Sequence, residues 1–237
     1  MKAPRGRSST RLAREERWRA YMSFVDRHAQ SFRMFRGVAD AETHLLRPKI
    51  GRDPGRYDGK QERQLFENFK RRATRFIDLR GFSEWDCLAL AQHHGLPTRL
   101  LDWTSNPLVA AYFAVSSVPG DATARVYAVR ARTRIDDVES GDPLAYTGQV
   151  TFFVPAHVAP RIVSQRGFFT IHPEPDKAWE PQPASHFDIV PVDRGFFRRR
   201  LFSLGIDPSH IMADLDGVCE TLAWQFTSGV ATGIFDY

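Results

Sequence analysis

The chain has 237 residues, of which 42% are hydrophobic and 26% charged, with a formal net charge of +5. This composition excludes disorder over most of the length, and no apolar run reaches the roughly 18 residues of a membrane span. No period recurs, which excludes collagen, coiled coils and repeat arrays. Two cysteines, Cys87 and Cys219, are too few for a disulfide scaffold and read as two buried thiols. The opening segment is basic but lacks the apolar core of a secretory signal. Glu15 and Glu16 set it apart from acid-poor transit peptides, so a cytoplasmic location is expected.

Residues 1–30 read as a basic helical N-terminal arm, with Ser8 or Ser9 as cap and a partial apolar stripe of Leu12, Trp18, Tyr21, Met22 and Val25. A single α+β domain is expected over 31–237. Its first strand runs from Phe32 to Gly37, and 47–60, rich in proline and glycine, is loop. Gln61 to Asp78 has helical periodicity, with Leu65, Phe66, Phe69, Ala73 and Phe76 on one face. Ser83 opens the next helix in a near capping-box arrangement with Asp86, and Gly95 with Pro97 ends it. A short strand, Thr98 to Trp103, precedes a helix capped by Asn106 that has Pro107 at its first position and is apolar nearly all round.

Beyond Thr123 the pattern changes to strands over 124–131, 149–154, 167–171 and 187–192, with a proline-rich loop at 173–185. Helices return over 195–204 and 208–226. Helices first, strands second and helices last predict an α+β fold, a helical N-terminal half packed on a mixed, mostly antiparallel split sheet.

Arginine supplies most of the positive excess, in clusters at Arg5–Arg19, Arg71–Arg80, Arg125–Arg134 and Arg194–Arg200. The guanidinium fork matches two phosphate oxygens at once, which suits a nucleotide or nucleic-acid partner; a solvated face with a positive bias is the plain alternative. The densest polar run is Gln92 to Pro107. Helix starts favour anions, and Arg36 and Arg99, if they converge there, add charged donors for a phosphate-bearing ligand. The plain alternatives are that Arg99 and Asp102 pair with each other or with backbone, and that Thr104 and Ser105 are only caps. His93 and His94 splay about 100° apart on a helix and no further ligand stands at metal spacing, so no metal is expected. No P-loop, no Gly-x-Gly-x-x-Gly and no Gly-x-Ser-x-Gly occurs.

Phe35-Arg36-Gly37, the Gln92 to Asn106 run and the Leu108 to Ala114 helix together resemble the FRG domain family. The resemblance extends to Gln165-Arg166-Gly167-Phe168-Phe169-Thr170 and to the tail from Leu204 to Gly217, about residues 30–220. A second, more distant resemblance is to arginine-type ADP-ribosyltransferases. These carry an Arg-Gly at a strand end, then a Ser/Thr-rich strand followed by Asn-Pro and an apolar helix, and last a strand with a catalytic Glu. Phe35-Arg36-Gly37 and Trp103-Thr104-Ser105-Asn106-Pro107 resemble the first two elements, and Ser164-Gln165-Arg166-Gly167 stands in the place of the third.

That resemblance implies an ADP-ribosyltransferase-like fold and an NAD-dependent enzyme acting on a protein or nucleic-acid acceptor, of the toxin or phage-defence kind, with a neutralising partner conceivable for a toxin and no membrane partner. It implies Arg36, Thr104 and Gln165 as catalytic residues, and Arg36, Gly37, His94, Arg99, Thr104, Ser105 and Asn106 around the dinucleotide. Gln165 is a departure, because a neutral amide can position a ribose but cannot supply the carboxylate's charge. Asp216 and Glu220 are the acids considered as substitutes; the plain alternative for Asp214 and Asp216 is a cap on the last helix or a pair with an arginine. The alternative reading is a non-catalytic nucleotide, phosphate or nucleic-acid binding module; a metal-dependent hydrolase fits least, for want of clustered carboxylates.

Overall fold

The computed structural model describes residues 5–29, 33–117, 120–130, 141–156, 164–182 and 184–230. Phe32, Ala131 and Pro183, at ends of expected elements, lie outside them, as do the side chains of Ser8 and Ser9. The fold is α+β. In chain order the elements are α1 (Arg5–Ala29), β1 (Arg33–Val38), α2 (Gly59–Ala73), α3 (Glu84–His93), β2 (Leu100–Thr104), α4 (Pro107–Ser116), β3 (Ala124–Arg130), β4 (Thr151–Phe153), β5 (Gly167–Ile171), β6 (Ala184–Ile189), α5 (Pro191–Ser203), α6 (Pro208–Met212) and α7 (Leu215–Ser228). None of the described helices is long and apolar enough to cross a membrane. The chain divides into two compact units: Met1–Thr43, Asn106–Arg130 and Pro183–Tyr237 form the first, and His44–Ser105 with Ala131–Gln182 the second.

In the first unit β3 lies between β1 and β6, antiparallel to both. Alternation puts Phe35, Val126, Ala128 and Ile189 into one core with Val109, Ala110 and Ala111 of α4 and Phe197 and Leu201 of α5. Burying each large apolar side chain contributes about 1.5–3 kcal/mol. Asn106 starts α4 as expected, its side chain accepting the Leu108 N–H at 2.9 Å, with Pro107 in the first turn. Gly37 lets α4 approach β1: a Cβ there would lie 1.8 Å from the Ala110 carbonyl oxygen and 2.7 Å from the Ala114 nitrogen.

The segment read as an arm enters this core through Tyr21 and Phe24, and the Tyr21 hydroxyl donates to the Pro107 carbonyl at 2.6 Å. Burial drives that phenol pKa far upward, so the group remains a neutral donor. Arg194, counted among the basic clusters, is 4% exposed and donates to the carbonyls of Ala39, Ala114, Ser117 and Ala122. It clamps four backbone oxygens rather than facing a ligand.

In the second unit β5 lies between β4 and β2, again antiparallel to both. Phe66, Trp85, Leu88, Leu100, Phe153, Phe169 and Ile171 form its core. Ser83 and Asp86 close a full capping box at the start of α3, as their spacing predicts. The Trp85 indole N–H donates to the Gly141 carbonyl at 2.8 Å, which makes its burial affordable.

Several boundaries differ from expectation for local reasons. The Thr98 hydroxyl accepts the Leu100 N–H at 3.1 Å, so Thr98 forms a side-chain turn and β2 begins after it. Helix α2 stops at Ala73, and the turn that follows leaves Phe76 89% exposed instead of on the buried face. Strand β6 begins at Ala184, so Pro191, Val192 and Asp193 belong to α5. The last expected helix is two helices, broken where Ala213 takes φ +54° and Asp214 caps α7 through the Gly217 N–H at 2.8 Å. Of the two thiols expected to be buried, Cys87 is buried and Cys219 is exposed.

Candidate functional site

Two of the expected catalytic positions meet in the second unit. Thr104 ends β2 opposite Gly167, the first residue of β5. Its hydroxyl donates to the Gln165 carbonyl at 2.6 Å, and the Ser105 N–H donates to the Arg166 carbonyl at 3.2 Å. The Ser/Thr strand end and the glutamine turn, 61 residues apart, are thus joined by adjacent hydrogen bonds. Arg166 holds φ +47°, a left-handed conformation rare for a side-chain-bearing residue. That strain lies in the turn that presents Gln165, and such outliers concentrate at functional sites.

Behind this junction the Gln92 to Asp102 run forms a relay. The Thr98 hydroxyl donates to the Gln92 Oε1 at 2.7 Å, and the Gln92 Nε2 donates to Asp102 Oδ2 at 3.0 Å. The relay ties the end of α3 to β2. On the same strand the buried Trp103 indole donates to the Thr170 hydroxyl at 2.8 Å, which lies 2.9 Å from the His172 Nε2.

Arg99 is 5% exposed and forms a two-point pair with Glu62, itself 3% exposed, at 3.0 and 2.6 Å. The Tyr57 hydroxyl donates to the same carboxylate at 2.9 Å. Burial opposes the Arg99 charge, but the Glu62 hydrogen bonds and charge outweigh it and raise the guanidinium pKa. Burial first, then Glu62, pushes the Tyr57 phenol up to about 12. This is a buried ion pair within the unit; neither Glu62 nor Tyr57 was singled out from the sequence. Their signal is slight, since Glu62 falls in the first turn of a helix where acids are common. His94, the C-cap of α3, is exposed, and Gly95 beyond it takes φ +87°.

Arg36, Gly37 and Asn106 belong to the first unit. Phe35 and Gly37 face α4, so Arg36 stands on the other face of β1. There it is opposite Tyr127, and Tyr127 is opposite His186, whose ring centre lies 6.5 Å from the phenol ring. Beside this row Arg125 forms a two-point pair with Asp188 at 2.6 and 2.8 Å and lies over the Tyr127 ring at 5.8 Å. The Arg125 hydrogen bonds hold the Asp188 carboxyl below the usual carboxylate range. Tyr127 and His186 escaped the sequence reading. The alternation Ala124, Val126, Ala128 against Arg125, Tyr127 exposes the polar face of β3, but β6 was placed three residues late, which hid His186.

A strand face of arginine, phenol and imidazole can hold an anionic, aromatic ligand, and the Thr104–Gln165 junction offers hydroxyl and amide groups for a sugar. Asp216 and Glu220 are exposed residues of α7 in the first unit, whereas Gln165 is in the second. Among the described residues no group of three or more His, Cys, Asp or Glu side chains could hold a metal ion.

No curated protein and no solved structure matches the chain. A family model does match, over a shorter stretch than residues 30–220: it takes in β1, α2, α3, β2 and α4 and ends before β3. The Gln165 turn and the tail lie outside it. Residues 31–122, with the Phe35-Arg36-Gly37 tripeptide near their start, match the FRG domain family.

Proposed function

We propose that the protein is an NAD-dependent ADP-ribosyltransferase-like enzyme that modifies a protein or nucleic-acid acceptor in the cytoplasm. The observation that carries the reading is the 2.6 Å bond from the Thr104 hydroxyl to the Gln165 carbonyl, which brings the second and third motif elements together. In this reaction the bond between the ribose C1′ and nicotinamide breaks, nicotinamide leaves with the electron pair, and an acceptor nucleophile takes C1′ and loses a proton. The resemblance to arginine-type ADP-ribosyltransferases assigns the dinucleotide phosphates to Arg36, the nicotinamide ribose to Thr104 and Ser105, and a ribose hydroxyl to Gln165. Arg99, committed to Glu62, supports the strand from within. Both cysteines are free thiols, in keeping with a reducing compartment.

The test is thermal unfolding with millimolar NAD+, followed by chromatography for released nicotinamide. At a hundredfold excess over Kd, binding contributes about 2.7 kcal/mol, or a rise of roughly 5–10 °C for a chain of this size. Arg36→Ala removes the rise, and Gln165→Glu increases nicotinamide release. No shift with NAD+ overturns the reading. A second reading, a nucleotide-binding module without turnover, is favoured by one observation, the neutral amide of Gln165 where transfer chemistry uses a carboxylate. It predicts the shift without nicotinamide release, even from Gln165→Glu.

A further inference from the structure

The turn that closes α2 sets an exposed aromatic ring in an arginine-rich stretch. Phe76 is 89% exposed, whereas Phe66 of the same segment is 2% exposed. The turn is well formed: the Phe76 and Ile77 N–H groups donate to the Ala73 carbonyl at 2.8 and 3.0 Å, and the Arg75 N–H to the Arg72 carbonyl at 3.3 Å. Arg72 and Phe76 stand four residues apart in sequence, as do Arg71 and Arg75, and all four are exposed.

The acids nearby are already engaged. Lys70 pairs with Glu67 and Glu84, and Arg80 with Asp78. Arg71 donates to the neutral Asn68 side chain at 2.6 Å. Three exposed arginines thus lie within five residues of one solvent-facing phenyl ring, and the carboxylates of Glu67, Asp78 and Glu84 are paired with other cations. A helix C-terminus favours cations, which accounts for arginines there, and the exposed Phe76 ring beside them in sequence adds a flat stacking surface.

We propose that this turn is a contact site for single-stranded nucleic acid. One base stacks on Phe76, and the flanking phosphates lie against Arg71, Arg72 and Arg75. A base can reach a lone ring only when it is unstacked, which selects single strands over duplex. A single ring without an apolar helix face favours this partner over a lipid surface, where binding scales with buried apolar area. The proposal stands on different residues from the NAD+ reading and does not rest on it.

The test is fluorescence anisotropy of a labelled oligothymidylate titrated with the full chain across a salt series. Three phosphate contacts predict a slope of log K against log salt of about −2. Phe76→Ala weakens binding by about 5- to 150-fold, while Phe76→Tyr retains it. Arg72→Gln with Arg75→Gln flattens the slope by about 1.4. Because Phe76 is exposed, Phe76→Ala leaves the melting temperature unchanged, so lost binding is not lost folding. The proposal is overturned if Phe76→Ala binds as tightly as the parent, if duplex competes as well as single strand, or if the chain ignores the oligonucleotide and binds phosphatidylserine vesicles instead.

Discussion

Gly37→Ala isolates one physical claim, that the tripeptide glycine is there to let a helix touch a strand. Its added Cβ would lie 1.8 Å from the Ala110 carbonyl oxygen, 2.7 Å from the Ala114 nitrogen and 2.9 Å from the Ala110 carbonyl carbon. All three are backbone atoms, so no side chain can rotate away. Bringing the closest contact out to about 3.0 Å requires α4 and β1 to part by more than 1 Å. That opens the packing among Phe35, Val109 and Ala110, all buried. Overpacking of this kind costs about 3 kcal/mol or more, which for a chain of this size lowers the melting temperature by roughly 6–12 °C. Gly195→Ala is the paired control: Gly195 lies within α5 with nothing inside 4 Å of the added Cβ. There alanine stabilises by about 0.5–1 kcal/mol through helix entropy. Calorimetry of both variants decides the matter. Equal melting temperatures for Gly37→Ala and the parent would refute the steric account.

Three further outcomes follow from the same packing and pairing. Glu62→Gln leaves the buried Arg99 guanidinium without its carboxylate and costs about 3–5 kcal/mol in urea unfolding; a loss below about 1 kcal/mol would mean that solvent reaches the pair. Arg125 lowers the Asp188 carboxyl pKa, so this pair stabilises the fold above the unfolded carboxylate value of about 3.9 and loses that contribution as pH falls through the lower folded value. Melting temperature should therefore fall less steeply on acidification for Asp188→Asn than for the parent, and parallel pH profiles would contradict this. In the native state a thiol reagent labels Cys219 and spares Cys87, whose pKa burial pushes up to about 11; loss of all fast labelling in Cys219→Ala checks the assignment by mass spectrometry.

Local chemistry made part of this fold readable from sequence. Asn106-Pro107 and Ser83 with Asp86 mark helix starts because the caps are short-range hydrogen bonds made by the residues themselves. The β5 bounds, Gly167 to Ile171, follow from β-branched and aromatic alternation. What periodicity could not reveal depends on distant partners. Phe76 continues the apolar face of α2 in a helical count, yet the chain turns after Ala73 and that face finds nothing to cover it. Arg99 and Arg194 look like ligand-binding cations in a list of arginines; one is neutralised by Glu62 and the other holds four carbonyls. At the site, the Thr104–Gln165 bond spans 61 residues and no local pattern encodes it.

The FRG tripeptide divides its labour by strand alternation. Phe35 is 2% exposed in the core of the first unit, and Gly37 makes room for α4 on the same face. Both are accounted for by packing, so substitutions at either act through stability and through every activity alike. Arg36 points the other way, into the row with Tyr127 and His186, where the packing of α4 on β1 makes no demand for a guanidinium. A charged side chain on a half-buried strand position costs desolvation. Of the three residues, Arg36 is the one that the proposed function assigns to the ligand. It follows that Arg36→Ala and Gly37→Ala should separate cleanly: the first loses ligand binding at nearly unchanged melting temperature, and the second loses melting temperature first and binding only as the fold gives way.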